Sequence, residues 1–346
     1  MLSFYQPIRA RERWSVCLAA WLVLGVGSLL AQTTVSSGVF DVMDGDSYDR
    51  LDIENGAGLN MTGGSVSDDP LIPFAGRVRL FDNATGDISG GSIEEGVRVS
   101  QDSRLTFSGG TAKSASVTDD AQGVFTGGVI SENVFLIDEA TASFSGGEVG
   151  FGSEGRSSPS FGGLLSVAGS STALVSQNAS INTLSVGDSG AAYVQGGAVD
   201  TISIGGGTTF WSGGTLRGSP GATTNPEVRV IENASIFIYG NSFGPLSPGS
   251  YTFADFTAVD PDDSRFNSLE LTVTLYDGTT NSFDFQAWNG TASGSAWEGT
   301  LELVSGSSPP PPPPGLIPEP ATTGLLFGLA GLMGLLVFRR RATSRV

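Results

Sequence analysis

A glycine pair returns along the middle of this chain at a nearly constant interval, and a chain that repeats in this way folds as a stack of similar units. The pair occurs in Met61-Thr62-Gly63-Gly64-Ser65-Val66 and again in Ile88-Ser89-Gly90-Gly91-Ser92-Ile93. It recurs in Phe107-Ser108-Gly109-Gly110, Phe125-Thr126-Gly127-Gly128 and Phe144-Ser145-Gly146-Gly147. Weaker copies are Tyr193-Val194-Gln195-Gly196-Gly197 and Trp211-Ser212-Gly213-Gly214. From Gly91 the steps to Gly110, Gly128 and Gly147 are 19, 18 and 19 residues. Gly197 to Gly214 is 17, and Gly163 to Gly197 is 34, which is two turns of the same period. The first step, 27 from Gly64 to Gly91, requires an insertion, expected between Asp68 and Gly76.

Between the pairs, short stretches alternate apolar and polar residues. Examples are Val97-Arg98-Val99, Val134-Phe135-Leu136-Ile137 and Thr201-Ile202-Ser203-Ile204. Period-two alternation bounded by Gly, Ser, Asp and Asn predicts strands, and no helical period competes outside the two ends. Strands of four to five residues on an 18-residue period suit one rung of a parallel β-solenoid. Each rung stacks inward Val, Ile, Leu and Phe on their equivalents, and Gly-Gly supplies a corner with φ > 0. Nine or ten rungs spaced ~4.8 Å apart make a rod of about 45 Å. The expected class is therefore all-β, a parallel β-solenoid or β-helix, with an up-and-down β-sandwich as the alternative.

The Gly-Gly signature is lost from Pro226 to Val304, although strands continue in Val228-Arg229-Val230-Ile231 and Ser235-Ile236-Phe237-Ile238-Tyr239. A longer one runs from Leu269 to Tyr276, with Asp277-Gly278 after it as a hairpin signal. Terminal rungs plus an antiparallel C-terminal cap are expected here, because an open solenoid end exposes core and backbone.

Composition narrows the function. Glycine is 50 of 346 residues, about twice the usual share, yet without a Gly-X-Y period, which excludes collagen. Of the 17 basic residues, seven lie at the ends: Arg9, Arg11, Arg13, Arg339, Arg340, Arg341 and Arg345. Residues 32–320 keep the other ten against 34 acids, a net −24, which repels phosphate backbones and excludes nucleic acid as a partner. The only cysteine, Cys17, precludes an internal disulfide, and the absence of histidine removes the commonest general base and zinc ligand.

The ends carry addresses. Arg9, Arg11 and Arg13 precede the apolar run from Val16 to Leu30, the layout of a signal peptide over residues 1–31 cleaved between Ala31 and Gln32. Such a leader implies passage through the Sec translocon. At the other end, residues 305–316 are a Ser/Pro-rich spacer with six prolines, Pro309 to Pro314, favouring stiff polyproline II. An apolar segment follows at residues 321–338, and 18 residues of helix span about 27 Å, near the hydrocarbon thickness of a bilayer. Arg339, Arg340 and Arg341 would stop it on the cytoplasmic side and leave the body outside.

Pro318-Glu319-Pro320, the apolar helix and the terminal arginines together resemble the PEP-CTERM sorting signal, over residues 317–346. The resemblance implies processing at Pro318-Glu319-Pro320 by an exosortase-type enzyme after a transient stay in the inner membrane of a Gram-negative bacterium. Such hosts often make exopolysaccharide, which makes that polymer a candidate partner at the cell surface or in the extracellular matrix.

The body, residues 32–225 with the terminal region 226–304, offers no P-loop, Cys/His metal site or triad. Asp44-Gly45-Asp46, Asp68-Asp69, Asp119-Asp120 and Asp262-Asp263 are the candidate carboxylate pairs. They could bind Ca²⁺ weakly or act as acid and base, but more often such residues are solvated turns. Trp211, Trp288 and Trp297 could stack on sugars and are more often core or cap. The expectation is a non-enzymatic structural or adhesive protein with no catalytic residues, cofactor or bound metal; the alternative is a β-helical polysaccharide lyase or glycosidase.

Overall fold

The computed structural model describes residues 32–67, 76–150, 163–218, 225–252, 255–256, 266–288, 297–306, 308–313 and 316. The chain divides into two compact units, Met1–Pro311 and Pro312–Val346, and the architecture below belongs to the first.

Alternating residues in a strand point to opposite sides, so stacking equivalent strands in register places like above like. Strand Gln32–Val35 pairs in parallel with Arg50–Ile53, which pairs with Arg77–Leu80, and so on through the chain. This first face carries the inward column Leu51, Val78, Val97, Ala115, Val134 and Leu165. It continues through Leu184, Ile202, Val228 and Phe285. All ten side chains are buried.

A second face begins with Val39–Val42 and stacks Val42, Met61, Ile88, Phe107, Phe125 and Phe144 in one inward column. Phe125 and Phe144 lie face to face, with ring centroids 4.6 Å apart. A third, narrower face runs through Val66, Ile93, Ala112, Ile130 and Val149 to Ile181, Val199 and Leu216. The three faces enclose a single apolar core, in which each fully buried aliphatic side chain contributes about 1.5–3 kcal/mol. The body is thus a three-faced parallel β-solenoid; its parallel ladders exclude the sandwich.

The period explains itself through the corners. At Gly109-Gly110, between the second and third faces, each glycine has its own reason. A Cβ on Gly109 would lie 2.2 Å from the Ser89 carbonyl oxygen of the rung before, and Gly110 takes φ 79°. The pairs are therefore glycine twice over, for close approach and for backbone conformation.

One copy was misplaced by the spacing. Gly163 stands before strand Leu164–Val167 on the first face, not at this corner. In that rung the corner is held by Gln177, a non-glycine residue at φ 50°.

The long step falls where expected. Leu51 to Val78 is 27 residues, and the surplus lies between strands Ser65–Val66 and Arg77–Leu80; residues 68–75 themselves are outside the described set. Two other steps above the usual period, 31 from Val134 to Leu165 and 26 from Ile202 to Val228, fall at the same corner, between the third face and the first.

The C-terminal region changes direction. Strand Ser235–Gly244 starts as a parallel rung against Thr208–Leu216, and its far end pairs antiparallel with Phe266–Leu275. Phe266–Leu275 and Thr280–Trp288 form the expected antiparallel hairpin, with Gly278 at φ 88° in its turn. Thr280–Trp288 then returns to run parallel to Glu227–Ile231, and Leu301–Ser305 runs parallel to Ser235–Gly244. No helix among the described residues is long and apolar enough to cross a membrane, and the predicted segment 321–338 lies outside them.

Candidate functional site

The corner between the first and second faces holds one of the candidate carboxylate pairs, Asp119-Asp120, within a row of polar residues. Asn55, Asp82, Gln101, Asp119, Asp138 and Asp188 all occupy it with positive φ, between 50° and 64°. Asn and Asp tolerate that region better than other L residues. Their side chains also link the rungs: Asp119 Oδ2 accepts from the Gln101 N–H at 3.1 Å, and Gln101 Oε1 accepts from the Asp82 N–H at 2.8 Å. Asp188 makes the equivalent, longer contact to the Gly169 N–H at 3.5 Å.

Two residues further on, a small residue fills the vertex: Ala57, Ala84, Ser103, Ala121 and Ala140 are completely buried, and Gly190 takes that place after Asp188. A polar-any-small triplet on the repeat period was the available signal for this corner. The glycine pairs, being denser, drew attention away from it.

The other candidate acids separate. Asp46 Oδ2 accepts from the Met43 N–H at 2.9 Å, closing the turn that holds Asp44-Gly45-Asp46. Asp68-Asp69 and Asp262-Asp263 lie outside the described residues. Among the described residues no group of three or more Asp, Glu, Cys or His is placed to hold a metal ion. Two acids within strands are buried, Asp52 and Asp200, and Asp200 accepts from Arg217 Nε at 2.6 Å. Arg217 also reaches Ser180 Oγ at 3.0 Å, so the pair ties neighbouring rungs together.

The tryptophans are not exposed platforms. Trp211 is buried in the second-face column and donates to the Gly213 carbonyl at 3.0 Å. Trp297 is buried against Phe256 and Phe285 and donates to the Ala234 carbonyl at 2.7 Å. Trp288, the last residue of its strand, is half-buried.

The surface of the first face is unlike the rest. Its middle outward column reads Asp52, Arg79, Arg98, Ser116, Phe135 and Ser166, each in register with the next. Ser185 and Ser203 extend it. Arg50 and Arg79 hold Asp52 at 2.8 and 3.9 Å, while Arg77 and Lys113 reach Glu95 at 3.6 and 3.3 Å. Arg98 is exposed and makes no ion pair among the described residues. Phe135 keeps 36% of its surface in solvent, the exposed aromatic of this column. Period-two alternation placed Arg98, Phe135 and Ser203 of this column in strands.

Of the sorting and cleavage residues, Gln32 opens the first strand. Ala31, Pro318, Glu319, Pro320, Arg339, Arg340 and Arg341 lie outside the described residues.

Fold and surface together define a repeat protein of the β-solenoid class whose polar side chains are spent largely on corners and rung-to-rung links. The chain also carries a PEP-CTERM protein-sorting motif at residues 316–341, a match that spans Pro318-Glu319-Pro320 and the three arginines. The motif marks an exported protein with a membrane-anchored C-terminal sorting signal, targeted for processing by an exosortase, a membrane-associated sorting enzyme. Comparison with curated proteins and with solved structures gives no match.

Proposed function

We propose that the protein is a non-enzymatic structural or adhesive component of the bacterial cell surface or extracellular matrix. A leader over residues 1–31, cleaved between Ala31 and Gln32, takes it through the Sec translocon, and exosortase processing releases it from the inner membrane. The observation that carries this reading is the use of polar corner side chains as structure. Asp119 and Gln101 each give a side-chain oxygen to a corner N–H one rung away, and Asp188 reaches toward another.

An acid–base pair for glycan cleavage needs two solvent-reachable carboxyls facing one bond. Asp200 is fully buried and its Oδ1 accepts from Arg217, which supports the structural reading. No cofactor is invoked in this role.

The test is a host strain lacking the protein, complemented with the wild type or with Glu319→Ala. The wild type should restore matrix cohesion under shear and yield a surface-exposed chain whose intact mass lacks both ends. The variant should retain residues 321–346 and restore neither. Equal cohesion with and without the protein would overturn the structural role, and release of new reducing ends from the matrix would overturn the non-enzymatic one.

A further inference from the structure

We propose that the outward surface of the first face is a binding track for a linear acidic polysaccharide, a glycan bearing carboxylates along its length. This deepens the surface reading above and rests on it for biological context.

The charge pattern comes first. Residues 32–320 hold 34 acids, yet seven successive first-face strand segments contain none. These are Arg77–Leu80, Gly96–Val99, Ala115–Val117, Val134–Leu136, Leu164–Val167 and the stretches 183–186 and 201–204. Their outward residues are arginine, hydroxyl and aromatic. An anion approaching this face meets seven strands whose own side chains do not repel it, two of which carry outward arginines.

Arg79 and Arg98 stand directly in register on neighbouring parallel strands. Two like charges opposite each other are destabilising unless a counter-charge offsets them. Asp52 lies beside Arg79 at 3.9 Å, on the side away from Arg98. Arg98 faces Ser116 on its other side. Its guanidinium is thus left to take a carboxylate from outside, and the planar fork of arginine suits bidentate pairing with one.

The column then changes character in the way a sugar polymer requires. Phe135, exposed between Ser116 and Ser166, offers an apolar surface for the C–H face of a pyranose ring. Serine hydroxyls at positions 116, 166, 185 and 203 offer donors and acceptors for ring hydroxyls. Strand neighbours lie ~4.8 Å apart, a spacing comparable to the advance of one sugar unit in an extended chain. A nucleic acid fits less well: its denser charge would be repelled by the acidic remainder of the body.

The test is calorimetric binding of polygalacturonate to the full chain in detergent micelles, with dextran as the neutral glycan and single-stranded DNA as the non-glycan polyanion. Polygalacturonate should bind, dextran should bind at least tenfold more weakly, and DNA should not bind. Arg98→Ala should raise the Kd about tenfold and Phe135→Ser about fivefold. Phe135→Tyr should restore affinity, and Arg104→Ala, an exposed arginine on the second face, should change nothing. Unaltered melting temperatures exclude misfolding, since both altered side chains are exposed.

No binding of polygalacturonate, an equal loss in Arg104→Ala, or DNA binding as tight as the glycan would overturn the track. The assay does not depend on where the cell places the protein. A chain that binds but never reaches the surface refutes the surface reading alone, and a surface chain that fails to bind refutes the track alone.

Discussion

Residues 32–231 and 235–305 face the same physical demand, to satisfy backbone groups around one apolar core, and they meet it differently. In the rungs, each strand's partners are the strands one repeat away, and the sharp corners are made by residues that lack a side chain or fold it back onto the neighbouring turn. In the C-terminal region, side chains do the sealing over long sequence distances. Asp277 Oδ2 accepts from the Gly214 N–H at 2.8 Å. Asn281 accepts from the Leu216 N–H at 2.7 Å and donates to the Gly214 carbonyl at 3.0 Å. Rungs that repeat can lean on the next copy, whereas the last one has no next copy and needs a different solution.

The sharpest way to break this comparison is to remove the anchor of the cap. Trp297→Ala deletes a buried indole packed on Phe256 and Phe285 and leaves the Ala234 carbonyl without its donor. A loss of about 3–5 kcal/mol is expected. Thermal melting followed by tryptophan fluorescence should then precede the loss of far-UV circular dichroism, because the cap opens while the rungs persist. Coincident transitions would mean that cap and rungs are one cooperative unit.

A pair of glycine substitutions gives the next effect. Gly109→Val drives a branched side chain into the Ser89 carbonyl of the previous rung and should cost about 3 kcal/mol. Gly278→Ala, in the hairpin turn, meets nothing within 4 Å and has only its φ of 88° to overcome, so about 1 kcal/mol is expected. Urea midpoints of the two variants should keep that order. Equal costs would show that close approach is not what the rung glycine is for.

The smallest effect is silent at neutral pH. Burial, with the Glu302 carboxylate and Tyr193 adding to it, raises the Tyr239 phenol above its ordinary value of 10.0. A group whose folded pKa is raised contributes stability that is complete below the unfolded value and is lost as pH rises through the folded one. The junction between rungs and cap should therefore weaken only in the alkaline range, above about pH 10. In Tyr239→Phe, melting temperatures followed from pH 8 upward should fall less steeply; identical slopes would remove this residue from the alkaline transition.

Much of the fold was readable before the structure, for local reasons. Gly64, Gly91, Gly110, Gly128 and Gly147 mark their corners because no other residue tolerates both constraints, so period and register follow from counting. The misassigned Gly163 shows the limit of counting. A rung can turn on Gln177 instead, and the side-chain-to-backbone links that hold polar corners leave only a faint polar-any-small pattern. The candidate site was less readable. Arg79 and Arg98 are 19 residues apart and Phe135 is 37 beyond Arg98, so nothing local joins them.

Strand character, repeat length and the address at the C-terminus are properties of short segments, and each is set by contacts within a few residues or by direct recognition of a linear motif. Which outward residues share a face, which acids become rung links, and how the last rung is sealed are set by stacking. A difference of one residue between rungs of 18 and 19 is absorbed at a corner, and only the folded register shows which corner absorbs it.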